Sequence, residues 1–186
     1  MLEKLGVKER IVTVATELFH KQGYGSTGIN QIIEEAKVAK ASLYYHFKTK
    51  EDLCVAYLEK RHADWCQAHH QFILDKDDKV LATFDLLIHD NEVNHYRGCS
   101  FINLVSEIPP KHQQILRQVQ KHKQYVQLFF QQQLIDFDED LAFMVYSLFE
   151  NAIVESQIFR SQAPVYRLKK AVNRLLALPK NEPEVL

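Results

Sequence analysis

The sequence predicts an all-α fold, and three observations lead to that prediction. Apolar residues recur at spacings of three and four along most of the 186 residues, which places them on one face of successive helices. No segment has the alternating pattern of a half-buried strand, and no internal repeat occurs. Only 5 glycines are present, four of them within the first 28 residues, so no glycine-rich phosphate loop follows a strand. Rossmann and P-loop nucleotide-binding domains are therefore not expected.

The first helix is predicted from Val7 to Gln22. One apolar stripe runs along it, formed by Ile11, Ala15, Leu18 and Phe19. Gly23 follows directly and is a common residue at a helix end. Thr27 is then expected to cap a second helix.

Two short helical patterns follow, joined by a tight turn. The first has the apolar positions Ile29, Ile32, Ile33 and Ala36, and the second has Leu43 and Phe47. With Leu43 and Phe47 buried, polar and flat side chains remain for the other faces of the second helix. This pattern predicts a helix-turn-helix whose second helix enters the major groove of DNA.

The stretch from about residue 8 to residue 55 resembles the N-terminal domain of the TetR family of bacterial transcription regulators. The resemblance rests on Phe19, Gly23, Tyr24 and the continuous string from Leu43 to Glu51. It implies a helix-turn-helix DNA-binding domain at residues 1–49 and a helical effector-binding and dimerisation domain at residues 50–186. Two positions depart from the family pattern. Lys37 stands where glycine is usual, at a turn that favours positive φ, and Ala39 replaces a capping Ser or Thr worth about 1 kcal/mol.

The resemblance also assigns roles to side chains of the predicted DNA-binding domain. Phosphate contacts are expected from Thr27, Tyr45, His46 and Lys50, and sequence reading from Ala41, Ser42 and the ring face of Tyr44. Lys40 is expected to reach either a guanine edge or the backbone. Tyr44 has an alternative role, packing beside Phe47. Residues 1–50 carry eight Lys and Arg against five Glu, a net charge of +3, whereas the rest of the chain is net −4. This asymmetry suits a DNA-contacting domain.

Six further helices are expected in the remainder of the chain. Thr49 and Asp52 form a capping-box-like pair that opens a long helix toward Phe72. Apolar patterns then predict helices from about Val80 to Ile88, from Phe101 to Ile108, through Ile115 to Phe130, at residues 138–160, and from Pro164 until Pro179. Pro109 and Pro110 are expected to close one helix and start the next.

The segment from Leu141 to Val154 is apolar on nearly every side. Such a helix packs on its own domain and on a second surface as well. We therefore expect a homodimer in which residues 138–159 and 166–178 of each subunit form a four-helix seam that includes Phe149 and Leu175.

An effector pocket in the second domain is implied by the resemblance alone. Its candidate lining residues are aromatic or polar side chains on helical apolar stripes, namely Trp65, Phe72, Phe84, Phe101, Asn103, His122, Tyr125, Phe129, Tyr146 and Glu150. Most of the aromatic residues are equally suited to a core. Glu150 fits a cationic ligand, an ion pair with a neighbouring helix or a position at a solvated edge, and His122 fits a satisfied core histidine.

Cysteine and histidine positions predict little further chemistry. His62, Cys66 and His69 share a helix face, but no CxxC accompanies them, and no metal or other cofactor is expected. Cys99 follows Arg97 and Gly98 and is either an oxidant sensor or a small buried residue. Three cysteines without paired spacing suit a reducing cytoplasm. No apolar run approaches the ~18 residues of a membrane span.

Together with these patterns, the resemblance to the TetR family implies a ligand-responsive repressor that leaves a palindromic operator when a small molecule binds. The alternative is a small-molecule-binding or scaffolding helical protein that has lost specific DNA binding, in view of Lys37 and Ala39. An enzyme is not expected, because no nucleophile-and-base signature or paired-carboxylate motif is present.

Overall fold

The computed structural model describes residues 4–177, and within them every regular element is a helix. The helices in chain order are α1 (Val7–Gln22), α2 (Ile29–Glu35), α3 (Lys40–His46), α4 (Lys50–Ile73), α5 (Lys79–Val93), α6 (Ser100–Val105), α7 (Gln113–Gln133), α8 (Glu139–Phe159) and α9 (Ala163–Leu176). The all-α prediction is confirmed. The predicted helix end at Pro179 lies outside the described residues.

The chain forms two compact units. The first unit contains the chain up to Trp65 together with Ser100–His122, and the second contains Cys66–Cys99 together with the chain from Lys123 onward. Helix α4 contributes to the first unit as far as Trp65. The expected boundary between residues 49 and 50 concerns functional domains, and it stays a prediction.

In the first unit, α1 packs on both α2 and α3. Each helix contributes a fully buried aliphatic side chain, Ile11 from α1, Ile32 from α2 and Leu43 from α3. These are the positions that the three-and-four spacing predicted to face inward. The packing fixes which faces of α3 remain exposed.

In the second unit, α8 packs on α9, and α5 packs on both. An aromatic cluster fills its core, with the Phe149 ring 5.3 Å from Phe84 and 5.4 Å from Phe130 between ring centroids. Phe149 is only 4% exposed. Its expected place in an intersubunit seam is therefore wrong, because the ring belongs to the core of its own unit.

Helix starts follow the capping rules at some positions and not at others. The Thr49 hydroxyl accepts from the Asp52 amide at 3.0 Å while an Asp52 carboxylate oxygen accepts from the Thr49 amide at 2.9 Å, which confirms that capping box. The cap predicted at Thr27 is wrong, since Gly28 precedes α2. The prolines at 109 and 110 do not start α7, which begins at Gln113 after a turn.

Gly98 lies in the loop between α5 and α6 with a φ of 75°, in the left-handed region that side chains disfavour. A Cβ at this position would collide with the side-chain amide of Gln157 on α8. The loop therefore passes α8 at a distance that only glycine permits.

Candidate nucleic-acid interface

Helix α3 buries Leu43, and the adjoining Phe47 is 4% exposed. Lys40, Ala41, Tyr44 and Tyr45 are exposed, while Ser42 and His46 are half-buried. The structure thus places six of the eight predicted DNA-binding side chains on the accessible faces of one helix. A set of this kind can both pair with phosphates and reach base edges.

The two tyrosines of α3 differ in their surroundings. Tyr45 is 77% exposed, and its ring meets the edge of His46 at a centroid distance of 5.0 Å. Tyr44 is only 39% exposed. Most of the Tyr45 side chain is therefore accessible to a partner, whereas more than half of Tyr44 is covered by other residues of the chain.

The turn that joins α2 to α3 has the features expected from its two unusual residues. Lys37 adopts a φ of 52°, the left-handed conformation for which the family uses glycine. Ala39 occupies the cap position of α3 and supplies no side-chain hydrogen bond. Both expectations are confirmed.

Thr27 is not placed to contact phosphate. Its side chain is 1% exposed, and its hydroxyl donates to the Gly23 carbonyl at 2.6 Å. Because the hydroxyl closes the turn before α2, its predicted role as a phosphate ligand is not supported.

Lys50 is half-buried at the first position of α4. Its ammonium donates to the Tyr24 carbonyl at 2.6 Å and lies 4.2 Å from the centre of the Tyr24 ring. Burial lowers the pKa of Lys50, although nearby Cys54 and Glu107 act in the opposite direction. Lys50 therefore stabilises the turn after α1, a role that its sequence position did not indicate.

Two residues that the sequence did not single out also hold this turn. The Glu107 carboxylate accepts from the Gly25 amide at 2.8 Å, and Gly23 has a φ of 88° with no room for a Cβ beside Glu107. His112 lies beside Tyr24, with ring centroids 6.2 Å apart. Burial raises the pKa of Tyr24 to about 12, with Cys54 and Glu51 adding to the effect.

The predicted pocket residues divide between the two units. Trp65, Phe101, Asn103 and His122 lie in the first unit. Phe101 stacks on His122 with centroids 3.8 Å apart, and Trp65 meets His122 edge-on at 5.3 Å. The His122 and His62 Nδ1 atoms are 3.1 Å apart. His122 is 4% exposed, and these contacts fit the interpretation of a satisfied core histidine.

The remaining predicted pocket residues, Phe72, Phe84, Tyr125, Phe129, Tyr146 and Glu150, lie in the second unit. Phe84 is fully buried in the core. Glu150 pairs with Lys123 of α7 at 2.6 Å, so the observed partner is a neighbouring helix. The other Glu150 carboxylate oxygen is buried without a hydrogen-bond partner. Burial raises the pKa of Tyr146, and the nearby Glu150 charge adds to it.

The Cys and His side chains of α4 have separate partners. His69 contacts the Thr83 hydroxyl at 3.0 Å, and Cys66 hydrogen-bonds with Tyr125. In the described part of the chain, no group of three His, Cys, Asp or Glu is arranged to hold a metal. The Lys123 ammonium donates to the Cys99 sulfur at 3.6 Å. No helix between residues 4 and 177 is long and apolar enough to cross a bilayer.

Comparison with known proteins identifies the helix-turn-helix. The family described as bacterial regulatory proteins, tetR family, matches residues 11–57. Residues 11–57 form a TetR-family helix-turn-helix domain. An uncharacterised helix-turn-helix regulator of Lactococcus lactis is 32% identical over 106 residues, which are 54% of each protein. The chain thus matches about half the length of that relative.

Matches over the whole length are more distant. The helix-turn-helix transcriptional repressor NemR of Escherichia coli is 22% identical over 92% of this chain and 94% of its own. A crystal structure of a TetR-family regulator from Streptomyces coelicolor has a TM-score of 0.83 at 25% identity, covering 91% of this chain and 88% of that one. The TetR fold therefore extends beyond the matched N-terminal domain.

Proposed function

We propose that this TetR-family protein is a homodimeric transcriptional repressor that binds a palindromic DNA operator and releases it when a small molecule binds. The observation that carries the proposal is the exposed surface of α3, with Lys40, Tyr45 and Ser42 held outward by buried Leu43 and Phe47. Repression is supported by the likeness to NemR, whose name describes it as a repressor. Such a protein acts in the bacterial cytoplasm, where operator DNA lies.

A two-fold dimer supports reading of a palindrome, because it presents two copies of α3 to matching half-sites. Met144, Ser147, Asn151 and Ile158 lie on one exposed face of α8. Phe143, Phe159 and Tyr166 add further exposed aromatic area, each more than half exposed. The exposed apolar side chains among these residues of α8 and α9 support the dimer.

Effector binding would act by selecting a conformation that holds the two α3 helices at a spacing other than one turn of B-DNA, roughly 34–36 Å. The aromatic and polar side chains around His122, and separately those around Glu150, are candidate lining residues. Glu150 has a buried carboxylate oxygen without a partner, which favours a ligand that donates a hydrogen bond.

The DNA-binding part is tested by selecting duplexes from a random-sequence library with the wild-type protein and measuring affinity against salt concentration. The selected sequences should be palindromic. Lys40→Ala should weaken binding. Loss of a phosphate contact would reduce the salt slope by about 1, whereas loss of a guanine contact would relax the preference at one position of each half-site.

The matched control is Lys79→Ala, which removes an exposed lysine from α5 and should leave affinity and slope unchanged. Absence of any sequence preference in the wild type would favour the alternative, a helical ligand-binding or scaffolding protein without specific DNA binding.

A further inference from the structure

The connector between α6 and α7, residues 106–112, contacts the chain on both sides of the helix-turn-helix. On one side, Glu107 accepts from the amide of Gly25, a residue that lies just before α2. On the other side, His112 Nδ1 lies 2.7 Å from a carboxylate oxygen of Glu51, in the first turn of α4 just after α3. The two contacts therefore bracket α2 and α3 along the chain.

Each contact is reinforced by its surroundings. The pair of His112 and Glu51 is largely shielded, with side chains 17% and 23% exposed, and the His112 ring also packs against Tyr24. Glu107 approaches Gly23 so closely that a Cβ there would meet both carboxylate oxygens at 2.8 Å. Hydrogen bonds with charged groups are stronger than those between neutral groups.

The connector itself is stiff. Pro109 and Pro110 lie between the two contacting residues and fix two φ angles. At its ends, Leu104 of α6 and Ile115 of α7 are 3% and 0% exposed and are thus fixed in the core. A short segment that is fixed at both ends moves as a body, and its two contacts move with it.

We propose that the connector positions the DNA-binding helices, with Glu107 and His112 as positioning residues that touch no DNA. The inference rests on the proposed function, since it assigns to these residues an effect on operator affinity. A displacement of α6, or of the first turns of α7, moves the connector and, through its two contacts, shifts the positions of the start of α2 and the end of α3. The affinity for DNA then changes although every phosphate-contacting side chain remains.

The first test compares Glu107→Ala, Glu107→Gln and His112→Ala with the wild type on a duplex selected by the wild type. Each alanine variant should bind about five- to tenfold more weakly with an unchanged salt slope, because no phosphate contact is lost. Glu107→Gln should bind within about twofold of the wild type, since its amide oxygen still accepts from Gly25. The matched control is Glu92→Ala on α5, an exposed glutamate, which should have no effect.

The DNA affinity of the double variant Glu107→Ala, His112→Ala distinguishes two explanations. Either the two contacts position the helices together, or each contact stabilises the protein independently of the other. If the two contacts act together to hold α2 and α3 against the connector, the loss of either one frees these helices, and the double variant should bind about as weakly as a single one. Loss of affinity by the product of the two single effects would overturn the proposal, as would single alanine variants that bind within twofold of the wild type.

Amide hydrogen exchange provides a readout without DNA. Glu107→Ala should speed exchange at Gly25 and the first residues of α2 at least tenfold, while α5, α8 and α9 exchange as before. A rise in exchange across the whole chain, or none at Gly25, would overturn the positioning role. If the wild type selects no duplex, the proposed function fails, and this exchange pattern alone decides whether the connector holds the two helices.

Discussion

Lys37 occupies a backbone conformation that its side chain opposes. At a φ of 52° its Cβ crowds the neighbouring carbonyl oxygen, at a cost of roughly 1 kcal/mol. The side chain is exposed, so burial does not offset this cost. The turn between α2 and α3 therefore retains its shape because Ile32 and Leu43 are buried on either side of it.

Lys37→Gly should stabilise the protein by roughly 0.5–1 kcal/mol, since glycine adopts this conformation without strain. Urea unfolding would measure it. Lys48→Gly is the matched control, an exposed lysine with a negative φ in the loop after α3. That change should destabilise the protein, because glycine at this position increases the conformational entropy of the unfolded chain and relieves no strain in the folded one. A lower urea midpoint for Lys37→Gly than for the wild type would contradict the proposal that Lys37 is strained.

His69 should make the stability of the protein depend on pH. Its imidazole is 2% exposed, and burial, with a smaller contribution from His70, lowers its pKa from 6.5 to about 4. Between these two values the unfolded chain binds a proton that the folded chain does not, so stability falls as pH falls. We expect a loss of roughly 2–3 kcal/mol from pH 7 to pH 4.

His69→Gln, which keeps a hydrogen-bonding group near Thr83, should remove most of that pH dependence of unfolding. His89→Gln replaces an exposed histidine of α5 and serves as the control. Equal pH profiles for wild type and His69→Gln would show that the buried imidazole is not the cause.

At the scale of elements, the sequence predicted what depends on local spacing. The range of α1 and the capping box at Thr49 were correct, since each depends on residues within one or two turns. The Gly25 contact to Glu107 spans 82 residues of the chain, and apolar periodicity carries no information about such partners. Thr27 was wrongly predicted as a cap for a related reason. The Thr27 hydroxyl donates to the Gly23 carbonyl, which precedes it in the chain, because the turn between α1 and α2 brings the two groups together.

The structure also shows which of the predicted DNA-binding residues can be substituted without disturbing the fold. Lys50 is tied to the Tyr24 carbonyl, so Lys50→Ala would disturb the turn after α1 as well as any phosphate contact. Lys40 and Ser42 are without this complication, because α3 presents both outward and neither has a hydrogen bond from its side chain within the described chain.

Ser42→Ala should relax sequence preference at one or two positions of each half-site. The expected loss of discrimination is on the order of 1 kcal/mol, the value of one hydroxyl contact to a base edge. Affinity for random duplex at low salt should not change. Selection from a random library with both proteins would measure the preference, and identical selected sequences would exclude Ser42 from base reading.

At the scale of the whole molecule, α8 serves two surfaces. Phe149, Val145 and Ala152 are buried in the unit, while Phe143 and Met144 are about half exposed. The sequence predicted a helix with two apolar faces. It could not show which face packs in the core and which lies on the surface, since apolar residues on nearly every side do not distinguish one face from another. The assignment came from the aromatic packing of Phe149 with Phe84.

Phe143→Arg should therefore give a folded monomer near 21.8 kDa, where the wild type has twice that mass. The charge would lie on the proposed seam and leave the core intact. Phe149→Arg is the contrasting variant. It should unfold or aggregate, because a buried charge has no partner there. Light scattering together with circular dichroism distinguishes the two outcomes, and a wild type of monomer mass would refute the dimer.

The passage of the loop at Gly98 beside Gln157 has a consequence for how this protein can diverge over time. Any substitution at position 98 adds a Cβ against Gln157 and also has to adopt a φ of 75°. Shortening residue 157 relieves only the first problem, so a compensating change cannot fully rescue the second. In a saturation mutagenesis library, position 98 should tolerate fewer replacements than the exposed position 93 at the end of α5, which has no positive φ. It should remain glycine even in descendants whose recognition helix has acquired a different operator.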